Sequence, residues 1–468
     1  MAGTFIPGEQ KIRPGSYFNV QKSGGNIKPN TLDGVTAVVF RADTGPLGTA
    51  VEIACNEDYT GIFGTGLTTD AIREAIAGGA RTVIACRVGK GGTPGTVTLK
   101  DADGADAVVI TAVYPGDKEF TITLREMLSD PDVKECIIYD GTAEYERIKF
   151  TAAGNEAQEF VKAVEASGKF TAALAEGKES ASLAAVSQAA FTKGSNPTVT
   201  AEDYSDAFAQ VEPYVFNTIC VDTEDSAVHL LLQAFLDRIF DAASPAQAVV
   251  AEKHTVPLAE RQEHAAAFND ERMIYVLNAH VEEQGKEIDG YQTAARIAGM
   301  VGSTSSAVSL THTVMEGYTD ILEKLTNTEI IAAEKSGCLV FSFNKARQVW
   351  IDNAINTLVK PAENQDDGWK KIRRVKTRYE LIRRINEIVD GLAGKVDNDS
   401  NGRSTVISQV QGIGDTMIEE GKLVFFSVTE VSDAAYVDSA YFDLDVIDKD
   451  SMEHIYMTFR FQFAISKE

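Results

Sequence analysis

A chain of 468 residues is too long for one compact core, so two to four domains are expected. At 44% hydrophobic it has ample material for those cores, and no run approaches the roughly 20 unbroken apolar residues that cross a membrane. A net charge of −25 repels nucleic acid and keeps concentrated protein dissolved. Met1–Pro7 has neither the basic stretch nor the apolar stretch of a secretory leader, so synthesis in the cytosol is expected. The cysteines Cys55, Cys86, Cys136, Cys220 and Cys338 are odd in number and never spaced as CxxC. They read as small buried hydrophobes in a reducing compartment.

Residues 1–25 read as an arm, broken by Pro7-Gly8, Arg13-Pro14-Gly15 and Ser23-Gly24-Gly25, with Ser16–Val20 as a short strand. A first core segment, 26–91, holds the continuous apolar run Val35–Phe40, typical of a strand buried on both faces, then a helix over 69–76 and a strand over 81–88. Residues 92–196 break that rhythm. Short strands are expected at 96–99, 107–113, 119–124, 135–139 and 147–151, with turns at Asp103-Gly104 and Pro115-Gly116 and a polar helix over 157–166. This is an inserted, mostly-β domain between the glycine-rich linkers Gly89–Gly92 and Gly194–Asn196.

The core resumes over 197–345, with strands at 215–221, 248–251 and 272–280 and helices at 227–240 and 291–301. The last section, 346–468, puts helices at 348–358 and 369–391 before strands at 421–429, 440–447 and 455–465. The fold class is therefore α/β multidomain: a discontinuous layered α/β core, an inserted mostly-β domain and an α+β C-terminal domain.

Familiar catalytic patterns do not emerge. His229, His254, His264, His280, His312 and His454 are scattered without HExxH, no GxSxG elbow occurs, and Gly89–Gly95 lacks the Gly-Lys-Ser/Thr ending of a phosphate loop. No catalytic residue, metal ligand or cofactor is assigned. Asp397–Gly402 matches the first six positions of a calcium loop, but Ser408 stands where a bidentate glutamate is needed, and an Asx-rich turn is the simpler reading.

Two features do ask for partners. From Lys370 to Arg384 eight basic residues face one acid, Glu380. Ile372, Val375, Tyr379, Ile382 and Val389 recur at helical spacing and should dock inward, leaving Lys370, Lys371, Arg373, Arg374, Lys376, Arg378 and Arg384 on the flanks and far side. Such crowding implies an acidic partner or a solvated face neutralised by the protein's own acids; nucleic acid is a weaker rival in so acidic a chain. In Thr458–Ile465, Phe459, Phe461, Phe463 and Ile465 alternate on one face of a strand. An apolar edge at a chain end invites pairing, either within the chain or with another copy.

The C-terminal series is specific: Ala354–Leu358, Trp369–Val375, Gly394–Asp399 with Asn401-Gly402-Arg403, and Asp450–Thr458, in that order. It resembles the C-terminal domain of contractile tail sheath proteins of phages, phage-like bacteriocins and injection systems, especially those of Gram-positive phages. Pro14–Tyr17 resembles the sheath N-terminal arm, and Val199–Tyr204 the point where the sheath core resumes after its insertion. The resemblance implies a structural subunit of a virion tail or phage-like particle, without enzymatic activity or cofactor. Such subunits stack as hexameric rings around an inner tube, contract, and meet baseplate and tail terminator proteins. Terminal arms add strands to neighbours' C-terminal sheets, which makes Tyr17, Phe18, Val20, Phe459, Phe461, Phe463 and Ile465 the candidate exchange residues. The basic helix then becomes a candidate contact for an acidic tube. Neither nucleic acid nor membrane is expected to touch this subunit. The competing readings are a cytosolic α/β enzyme with an unrecognised site and a module that binds acidic polymers.

Overall fold

A computed structural model describes residues 3–4, 17–18, 33–363, 365–431 and 438–461, and divides the chain into a unit 1–32 and a unit 33–468. In the first unit, Gly3–Thr4 pairs in parallel with Tyr17–Phe18.

The second unit is built on a seven-stranded sheet in the order Cys338–Leu339, Met273–Val276, Gln247–Ala251, Thr218–Val221, Val35–Phe40, Thr82–Arg87, Ala50–Ala54. All neighbours run parallel except Ala50–Ala54 at the edge. Alternation inside Val35–Phe40 feeds two cores: Val38 and Phe40 face one, Ala37 and Val39 the other. The first core is covered by the helices Asp70–Ala77 and Tyr291–Ser303. The second is covered by Ala201–Val211, Ser226–Asp241 and Leu258–Phe268. The helices of the first face cross at glycine, where a side chain at Gly299 would lie 2.0 Å from the Ala75 carbonyl oxygen.

Residues 96–190 form two antiparallel sheets, of four and three strands, around the helix Glu156–Ala166. Their core, from Val97 to Phe191, centres on Phe120, Phe160 and Phe170. The two linker segments are not loose: they pair antiparallel with each other at Lys90–Thr198, Thr93–Ser195 and Thr96–Thr192. The fully buried Arg87 donates to the carbonyls of Ala42 (3.0 Å), Gly45 (2.8 Å) and Pro115 (2.8 Å), bridging core and insert. Lys118 reaches Asp43 on one side, at 3.4 Å, and Asp140 on the other.

The C-terminal section departs most from expectation. Residues 348–358 are not helical: Val349–Ile351 is a strand paired with Phe341–Phe343, because burial there follows a period of two, with Val349 and Ile351 inside. A helix over Ser400–Glu419 was not foreseen. Residues 455–461 carry no regular secondary structure, against the strand expected over 455–465.

Candidate assembly site

The basic helix runs Ile372–Leu392 after a short 3-10 turn at Asp367–Lys370. Ile372, Val375 and Tyr379 are buried as expected, but Val389 is exposed, and Arg373 and Lys376 are buried beside the apolar residues. The cause is the helix Tyr291–Ser303, whose last carbonyls lack intrahelical donors. The Lys376 ammonium donates to the carbonyls of Val301 and Thr304, and Arg373 Nε to that of Ser306 at 3.4 Å. Cations at a helix C-terminus are favoured by its dipole. Burial pushes the Lys376 pKa down to about 8.

The other basic residues answer acids of their own chain. Arg374 grips Asp448 through Nε (2.9 Å) and Nη2 (2.5 Å), and Arg378 adds Nε at 2.9 Å. Both arginines also reach Asp366, and the Arg378 guanidinium lies over the Trp369 ring at 4.0 Å. Burial alone would raise the Asp448 pKa, but the two guanidiniums outweigh it and hold the carboxyl below its usual range. Lys371 pairs with Asp450 (2.7 Å) and Glu453 (3.0 Å), and Arg384 with Glu380 and Glu420. Lys370, with a side chain 35% exposed, pairs among the described residues with its neighbour Asp367. The mutual repulsion inferred from local charge counting is thus relieved inside the subunit. Nothing in the sequence marked Asp366, Asp448, Asp450 or Glu453 as partners of this helix, although Asp450 and Glu453 lie in the C-terminal series noted above.

Beside this helix lies the C-terminal sheet. Leu423–Glu430 and Phe442–Asp448 form a two-stranded antiparallel hairpin. Phe426 and Val428 face the helices, packed with Leu381, Val410 and Met417. Gly414 is required there, since a Cβ would fall 1.9 Å from the Phe426 ring. Register places Leu444 opposite Val428 and Val446 opposite Phe426, hence on the same inward face. Yet Leu444 and Val446 are 39% and 37% exposed. A groove of about 500 Å³ lies between Ile385 and Val389 of the basic helix, Val406 and Val410 of the last helix, and Val428 and Leu444 of the hairpin. The helical layer extends past the two strands that cover it.

Of the exchange candidates, Phe459 and Phe461 are 74% and 90% exposed, their rings stacked at 6.3 Å. Tyr17 and Phe18 lie in the short parallel pair of the first unit. Val20, Phe463 and Ile465 fall outside the described residues.

Elsewhere the side chains serve structure. The carboxyl ends of parallel strands are where doubly wound enzymes bind ligands. Here the fully buried Asp222 accepts from Arg41 N (2.7 Å), Arg41 Nε (2.8 Å), the Tyr204 hydroxyl (2.5 Å) and the Thr68 hydroxyl. In the calcium-like loop, Asp399 caps the last helix, accepting from Gly402 N at 2.8 Å. Four cysteines are buried; Cys55 is exposed.

Residues 198–357 match the family model of the phage tail sheath protein central domain. The phage-like element PBSX protein XkdK of Bacillus subtilis is 24% identical over 473 residues, covering 96% of this chain and 98% of that protein. The sheath tail protein of Desulfitobacterium hafniense has the same fold, with a TM-score of 0.72 at 22% identity, covering 94% of this chain and 98% of the other. So has that of Listeria innocua, with a TM-score of 0.68 at 20% identity, covering 89% and 95%.

Proposed function

As a member of the contractile tail sheath proteins, this chain, we propose, polymerises as stacked hexameric rings around an inner tube and contracts to drive that tube through a target envelope. The observation that carries the reading is the two-stranded hairpin, whose inward Leu444 and Val446 are left over a third exposed beside an open groove, in a chain that also offers an alternating aromatic run whose described part lies in no strand. A strand donated by another copy would complete the sheet, with backbone hydrogen bonds giving affinity and alternate side chains filling the groove.

Magnitudes suit a link that must be strong only in number. Burying Phe459, Phe461, Phe463 and Ile465 contributes about 6–12 kcal/mol. Ordering an eight-residue strand costs about 8–16 kcal/mol. One donated strand is therefore near break-even before its hydrogen bonds, and cohesion rests on repetition through the polymer.

Contact with an acidic tube is proposed for the N-terminal end of the basic helix, where Lys370 keeps the most exposed charge. The internal pairing of Lys371, Arg374, Arg378 and Arg384 lowers what those residues can offer outside. Baseplate and terminator proteins would meet the ends of the polymer, and the subunit would act without catalysis.

Electron microscopy of the purified chain tests this. Rings or tubes should form from the full chain, while deletions of 1–22 or 455–468 should leave folded subunits that do not polymerise. Normal polymers from both deletions would overturn strand donation.

A further inference from the structure

Resting on the reading that the C-terminal run is donated, we propose that the basic helix is a clamp that sets where the free arm begins. Three acids, at 448, 450 and 453, leave the end of the hairpin, and each is held by the same face of one helix. Asp448 is gripped by Arg374 and Arg378, and the next residue is still tied by the 2.9 Å bond from Lys449 N to the Lys422 carbonyl. Asp450 and Glu453 share Lys371. The second Glu453 oxygen accepts from Ser451 (3.2 Å), Ser309 (3.4 Å) and Thr311 (3.4 Å), anchoring it to the core as well.

This stretch has no regular secondary structure, so side-chain contacts, not a ladder, fix its path. Between its anchors this stretch is open to solvent, with Met452 80% exposed. Glu453 is half-buried, whereas His454 and every residue from Ile455 to Phe461 is exposed. The free arm thus starts at His454.

The two holds differ in strength. Asp448 has a side chain only 6% exposed between two guanidiniums, while Lys371 and Asp450 are 26% and 31% exposed. The outer hold is the one that opens first. Its release would add residues 450–453 to the free span, about 13 Å at ~3.3 Å per residue. The clamp is therefore a store of slack: an arm kept short in one arrangement of neighbours can lengthen without leaving its partner's sheet when the subunits move apart.

The test uses the unassembled full chain and trypsin, which cuts after Lys449 inside the clamp and after Arg460 beyond it. Cleavage at Arg460 serves as the internal control. Lys371→Glu should raise the Lys449 rate relative to Arg460 by roughly 2–5-fold, the range for a partly exposed pair. Lys371→Arg, which keeps the cation and adds no cleavage site, should leave it unchanged. In the unsubstituted chain, 1 M salt should raise the same ratio. Equal ratios in the unsubstituted chain and Lys371→Glu, no salt effect, or a raised ratio in Lys371→Arg would each overturn the clamp. These readouts need no polymer, so their failure is distinct from failure of strand donation, which the 455–468 deletion reads.

Discussion

Arg87 decides whether the inserted domain is docked or merely tethered, and Arg87→Met is the perturbation that asks. The methionine keeps the length of the side chain and removes the charge and all donors. Three carbonyls, on Ala42, Gly45 and Pro115, then lose the donor that Arg87 supplies. Each under-satisfied buried acceptor costs about 1–3 kcal/mol, or about 3–9 kcal/mol together. Against this stands relief from burying a cation, whose pKa burial lowers to about 10. That relief amounts to about 3 kcal/mol. The net loss should be about 3 kcal/mol, concentrated at the junction. Both tryptophans, Trp350 and Trp369, lie outside the insert, so fluorescence follows the rest of the chain. Hydrogen exchange over 89–95 and 192–198 follows the junction. Exchange there should accelerate about 100-fold, while Val35–Phe40 and Thr218–Val221 stay protected. Junction exchange within twofold of the unsubstituted chain would refute the reasoning.

Arg374→Glu with Arg378→Glu should lower the thermal midpoint of the unassembled subunit, since it leaves Asp448 buried beside like charges; an unchanged midpoint would return these arginines to a surface role. Glu334 has its pKa raised to about 7, first by burial and then by Asp352. A raised carboxyl pKa gives stability that is full below about 4.5 and lost as pH rises through about 7. Glu334→Gln should therefore stabilise by roughly 1–3 kcal/mol at pH 8 and little at pH 5, read by denaturant unfolding at both. The inserted domain is expected to point away from the tube, so excising 92–196 with a short linker should give particles of smaller outer diameter by electron microscopy, whereas an unchanged diameter would contradict that placement. Lys370→Glu should leave the subunit's melting unchanged and weaken assembly on an acidic tube; unaltered assembly would remove Lys370 from that contact.

The parallel strands were legible because they are buried on both faces: Val35–Phe40 reads as an unbroken apolar run, and the structure places the strand over the same residues. The layered α/β class followed from strands alternating with helices. The last helix was hidden by its own composition. Asn401, Gly402, Thr405, Gly412 and Gly414 form helix poorly in isolation, and the helix stands because Val410, Ile413 and Met417 pack on the hairpin. The basic helix was legible as a helix but not as a partner. Its acids lie as far away as Glu453, 82 residues from Lys371, and the carbonyls that take Lys376 lie more than 70 residues earlier. Local charge counting sees the repulsion and cannot see the relief. At the chain end, alternation in Thr458–Ile465 signalled strand chemistry, while the described part of that run has no strand partner within the chain.

The central claim is that one copy's C-terminal run completes another copy's hairpin, and a mixed-chain crosslink tests it most directly. With the exposed Cys55 replaced by Ala, Phe459→Cys is placed in one chain and Leu444→Cys in another, and the two are co-assembled and oxidised. The account predicts a disulfide between the two chains that appears only in polymer and is absent from dilute subunits. Polymers that form normally and yield no such crosslink, while a single chain carrying both substitutions closes on itself, would contradict it.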